Sequence, residues 1–116
     1  MLERADDLLR GPSPHRARFA CWIARSSFEL LVAGLLVQRD LDPGSASMRT
    51  RLSCLQVAYL DRPEVAARAD YIWARLSQAC HQHAYELGPT VHEARGLVAR
   101  VVDLAGVIRV SVEVDA

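Results

Sequence analysis

The chain has 116 residues, enough for one domain with one hydrophobic core and near the lower end of typical domain size. Hydrophobic residues make up 51% and charged residues 24%, which excludes a disordered tail. Fourteen basic residues balance fourteen acidic ones, so no global field draws the molecule to nucleic acid or an acidic membrane. Any such partner needs a local patch.

Every basic residue is arginine, which fits the codon bias of a GC-rich genome better than a functional design. Cys21, Cys54 and Cys80 are odd in number and widely spaced, so they form no disulfide framework. The N-terminus is charged and lacks a secretory apolar stretch. The longest apolar run, Leu30 to Val37, is eight residues, too short to cross a bilayer. Together these features predict a reduced, cytoplasmic protein with no membrane partner.

In chain order, a short helix over 2–9 ends at Gly11-Pro12-Ser13-Pro14. Ser13 then caps a second helix, with Pro14 in its first turn, where a missing N–H costs nothing. That helix runs to about Arg39 and stops at the turn-rich Asp40-Leu41-Asp42-Pro43-Gly44-Ser45. Ser47 caps a third helix, Met48 to Leu60. Asp61-Arg62-Pro63-Glu64 reads as a capping box opening a fourth, which closes at Gly88-Pro89. Thr90-Val91-His92-Glu93 is a second capping box, and the fifth helix runs to about Ala105. The segment 107–114 alternates as Ile108-Arg109-Val110-Ser111-Val112-Glu113-Val114 and predicts a strand.

Apolar spacing supports the helices. Val65, Ala69, Ile72, Leu76, Ala79 and His83 recur at alternating steps of four and three, the pattern of a packing seam. Phe19, Ile23, Ser26, Leu30, Ala33 and Val37 do the same on helix two, beside a small-residue stripe of Ala20, Ala24, Ser27, Leu31 and Gly34. Val91, Ala94, Val98, Val101 and Ala105 mark helix five. The expected fold is all-α: a single domain over 1–116, an antiparallel four- to five-helix bundle with its core at 14–105 and a short C-terminal β-strand. Helix two also carries Trp22, Phe28, Val32, Leu35 and Leu36 off its seam, more apolar surface than a small monomer readily covers. It therefore reads either as a central helix or as a homodimer surface. The lone strand adds to the case for self-association.

Chemistry-bearing residues concentrate at one helix end, Cys80-His81-Gln82-His83-Ala84-Tyr85. An up-down-up-down order of helices two to five would bring this end to Arg49 and Arg51 and to His92. Arginines in the first turn of helix three oppose its dipole, which makes sense beside an anion such as phosphate. At about 100° per residue, Cys80 and His83 lean into the core while His81 and Tyr85 face away. Cys80, His83 and His92 are a candidate metal set, with Cys54 or Cys21 as neighbours, although no CxxC or HExxH spacing is present. Cys80 and the adjacent His81 diverge on a helix and no third orienting group is evident, so no thiolate chemistry is expected; nor is a cofactor.

The layout and the run Arg75-Leu76-Ser77-Gln78-Ala79-Cys80-His81 resemble the HEPN superfamily, small helical bundles that often dimerise. His83-Ala84-Tyr85 is similar to the His-x-Tyr common there. The helix Ala-Cys-His-x-His-Ala-Tyr-Glu-Leu also resembles a group of small actinobacterial proteins. In active HEPN members the resemblance implies metal-independent RNA cleavage in a cleft shared by two subunits. Arg75 would then stabilise the scissile phosphate, His81 would act as acid or base, and Tyr85 would assist. On a straight helix Arg75 and His81 lie about 120° apart, so they converge only across a dimer or at a bend. Three readings follow: an RNA- or nucleotide-binding HEPN-like homodimer of toxin or defence type, a non-catalytic interaction or regulatory module, and a metal-binding bundle.

Overall fold

The structure is a computed structural model that describes residues 2–10, 15–80 and 89–115, with side chains throughout except at 6, 8 and 108–115. Among the described residues it is all-α: α1 (Leu2–Arg10), α2 (Arg16–Gln38), α3 (Met48–Ala58), α4 (Pro63–Cys80) and α5 (Val91–Asp115). The Ser13 cap, Pro14 and the Gly88 stop lie outside the described residues.

Two of the predicted caps form. The Ser47 hydroxyl accepts from the Thr50 N–H at 3.2 Å, and the Thr90 hydroxyl accepts from the Glu93 N–H at 3.0 Å. The Asp61 box does not form. Its carboxylate instead accepts both terminal nitrogens of Arg39, at 2.9 and 3.2 Å, and α4 starts with Pro63 in its first position.

The strand at 107–114 is a correction, because the backbone there continues α5 to Asp115. Seven alternating residues with no partner strand would leave a row of N–H and C=O groups unpaired, whereas a helix satisfies them internally. Gly106 does not stop the helix; a glycine in a helix interior costs only about 1 kcal/mol relative to alanine.

α2 is the centre of the bundle and packs on each of the other four helices. Its buried residues are Ala17, Ala20, Cys21, Ala24, Ser27, Phe28, Val32, Leu35 and Leu36. The seam expected to face the core lies on the opposite side: Phe19, Leu30 and Val37 are 48%, 64% and 58% exposed. The small stripe and the residues off the seam form the core instead. On α4 the expected seam holds, with Val65, Ala69, Ile72, Leu76 and Ala79 buried. On α5, Ala94, Val98 and Val101 are buried as expected, joined by Leu97, Leu104 and Val107. By length and composition α2 also passes for a membrane span, with mean hydropathy 1.5 over 18 residues, but 44% of that window is buried inside the bundle. A core helix of a bundle meets the same test.

Side-chain contacts fix the helix directions. Phe28 stacks on Trp73 with centroids 6.1 Å apart, while Arg39 pairs with Asp61, just before α4. α4 therefore runs antiparallel to α2. The C-terminal ends of α2 and α3 coincide: the Tyr59 hydroxyl donates to the Leu35 carbonyl at 2.9 Å, and Arg39 donates to the Ala58 carbonyl at 3.2 Å. α3 thus runs in the same sense as α2, which corrects the simple up-down order. The long linker between them permits this by doubling back, with left-handed backbone at Asp40 (φ 54°) and Gly44 (φ 72°). α1 packs on α2 and α5, with Ala5 and Leu9 buried, and so belongs to the same core.

Candidate functional site

A concave surface lies between α4 and α5. Tyr71, Arg75, Gln78 and Ala79 come from α4, and His92, Glu93, Gly96, Leu97 and Arg100 from α5, with Pro89 at the end; together they enclose about 380 Å³. Arg68, Ile72, Arg100 and Asp103 line a second hollow of about 250 Å³, joined to the first at Arg100. The two form one outer groove with three arginines, one histidine and two carboxylates along it.

The helices produce this row by simple periodicity. Arg68 and Arg75 are seven residues apart, so they share one flank of α4 about two turns apart. Arg100 approaches from α5, its guanidinium 4.5 Å from the Tyr71 ring centroid, a cation–π contact that holds the charge over the groove. Gly96 opens the floor, since a Cβ there would meet nothing within 4 Å. The first turn of α5, capped by Thr90, points its dipole at the same end as His92 and Glu93.

Of the predicted site residues, Arg75 and His92 are brought together in this groove. His81, Tyr85 and His83 lie outside the described residues. Arg49 is elsewhere: it lines a hollow with Leu52, Ser53, Gln56, Asp70 and Trp73, on the α3 side of α4. Trp73 and Arg75 are two residues apart, hence about 160° apart around the helix, so Arg49 and Arg75 serve different surfaces. Arg51 is engaged in the fold, donating to the Gly44 carbonyl at 2.8 Å and tying down the turn before α3. Arg49 therefore lies apart from Arg75 and His92, and Arg51 holds a turn of the fold.

Of the candidate metal set, Cys80 and His92 are described and His83 lies outside the described residues. Cys80 is half-buried against the core, where burial raises its thiol pKa, the nearby Arg25 cation lowers it, and the net shift is upward. Cys21, fully buried, is pushed up to about 11, first by burial and then by the neighbouring Cys80 and Glu93. Both cysteines favour the protonated, inert thiol. His92, by contrast, faces the outer groove. Among the described residues no group of three or more His, Cys, Asp or Glu side chains could hold a metal ion.

Sequence reasoning missed Arg100 and Tyr71. Only the α4–α5 register brings Arg100 of α5 across from Arg68 and Arg75 and over the Tyr71 ring of α4. No family model, no curated protein and no solved structure matches this chain.

Proposed function

We propose that this protein is a HEPN-like helical module that binds the phosphate backbone of RNA or a nucleotide in the α4–α5 groove. The observation that carries the reading is the convergence of Arg68, Arg75 and Arg100 along one groove, with His92 at its end. On a chain of zero net charge such a local excess supplies the attraction that the whole molecule lacks. Arginine forks suit phosphate oxygens, and Tyr71 offers a ring on which a base can stack. Glu93 and Asp103 oppose the arginines, so binding is moderate and sensitive to salt.

A fluorescent single-stranded RNA oligonucleotide tests this by anisotropy. Three phosphate contacts give a slope of log K against log salt of about −2, and Arg75→Ala makes it shallower by about 0.7. Loss of one charge-assisted contact weakens binding about ten-fold. Unchanged binding in a folded Arg75→Ala/Arg100→Ala double variant would remove the proposal. Cleavage of the same RNA in EDTA, lost in both Arg75→Ala and His81→Ala, would extend it to catalysis.

A further inference from the structure

The walls of the α4–α5 groove face each other in levels. α5 runs antiparallel to α4, since Ala79 lines the groove with His92 at one end and Arg68 with Asp103 at the other. Arg100 lies over the Tyr71 ring, which sets one level. One turn further along α4 and one turn back along α5, Arg75 comes across from Gly96. Beyond it Gln78 comes across from Glu93, and in the other direction Arg68 from Asp103. Of these four levels, only the one at Arg75 has bare backbone as its opposite wall.

Nothing in the packing asks for glycine at 96. The residue is exposed in the interior of α5, it has no left-handed backbone, and a Cβ there would meet no atom within 4 Å. A glycine inside a helix weakens it relative to alanine, so position 96 loses stability with no gain in packing. Across the groove Arg75 is exposed and, among the described residues, makes no ion pair. Cleared space beside a free guanidinium is a seat for an anion.

Given the phosphate-binding role proposed for the groove, on which this step rests, we infer that Gly96 determines the ligand. One internal phosphate of a single RNA strand sits between Arg75 and the Gly96 backbone. The groove continues on both sides of this seat, towards Arg100 and Arg68 one way and towards Gln78 and His92 the other. A strand uses both sides, whereas a free nucleotide fills only one. The cations continue on the Arg100 side, so the next phosphates lie there. Arg100, held flat over Tyr71, offers its outer plane to the base beside the seated phosphate. A base in a duplex is already stacked on its neighbours and cannot lie there, so the seat selects an unpaired strand.

Anisotropy with a labelled single-stranded RNA, alone and annealed to its complement, tests the seat, with urea denaturation of each variant alongside. Gly96→Leu is expected to raise the folded-to-unfolded ratio about three-fold, because leucine is the better helix former. The same variant is expected to bind the strand about ten-fold more weakly, the loss of one charge-assisted contact. Gly106 is as open as Gly96 but lines neither hollow, so Gly106→Ala should gain stability and leave binding unchanged. Stability and binding that move in opposite directions at 96 but not at 106 are what a merely structural glycine would not give. Annealing is expected to lower affinity about ten-fold, the loss of one stacked base.

Wild-type affinity in a folded Gly96→Leu overturns the inference. So does equal affinity for strand and duplex, or displacement of the strand by an equal concentration of uridine monophosphate. If Gly96→Leu does not fold, the unbranched Gly96→Met decides by the same readout. Binding lost in Arg75→Ala/Arg100→Ala but kept in Gly96→Leu removes the seat and leaves the groove as a phosphate site. Binding kept in both removes the groove as well.

Discussion

At the scale of single residues, polar groups set where helices meet. Tyr59 is fully buried, yet its hydroxyl reaches the Leu35 carbonyl, and Arg39 lies 4.2 Å over its ring while pairing with Asp61. Hydrogen bonding to Arg39 holds the Asp61 carboxyl below its ordinary value, and burial raises the Tyr59 phenol. Cys21 gives a pH signature. Below the ordinary thiol value of 9.0 the thiol is protonated in folded and unfolded chains alike, and its contribution to stability is complete. Above that value the unfolded chain loses its proton first, so stability falls as pH climbs from 9.0 to about 11. Urea midpoints across this range should drop for the wild type and drop less for Cys21→Ala. Equal slopes would contradict the assigned shift. Of this residue-level detail the sequence carried the caps at Ser47 and Thr90, because capping is local. It could not carry the Arg39–Asp61 pair, whose members are 22 positions apart.

At the scale of elements, helix positions were legible and one helix face was not. α4 alternates apolar and polar sides, so its seam of Val65, Ala69, Ile72, Leu76 and Ala79 has a single direction. α2 is apolar nearly all round, and two opposite faces each satisfy helical spacing. Which one turns inward depends on how closely the neighbours approach, and the small residues Ala17, Ala20, Ala24 and Ser27 take that side. The terminal segment shows the same limit, since alternation favours a strand only where a partner strand exists. α5 depends on its cap: removing the Thr90 oxygen with Thr90→Ala should cost about 1 kcal/mol. Chemical denaturation would show this as a lower midpoint with an unchanged slope, and no loss would mean that the Glu93 N–H finds another acceptor.

At the scale of the whole molecule, the functional surfaces depend on the relative order of the helices. The sequence by itself determined an all-α bundle, the starts and ends of most helices, the seam of α4 and the surplus apolar surface of α2. Those properties are written in spacing and local chemistry within a few turns. Tertiary structure alone decided that α3 runs with α2, that Arg75 faces His92 and Arg100 while Arg49 lies on another surface, and which side of α2 meets solvent. Each of those outcomes depends on contacts between distant segments, where loop reversal and close packing choose among faces that the local pattern leaves equivalent.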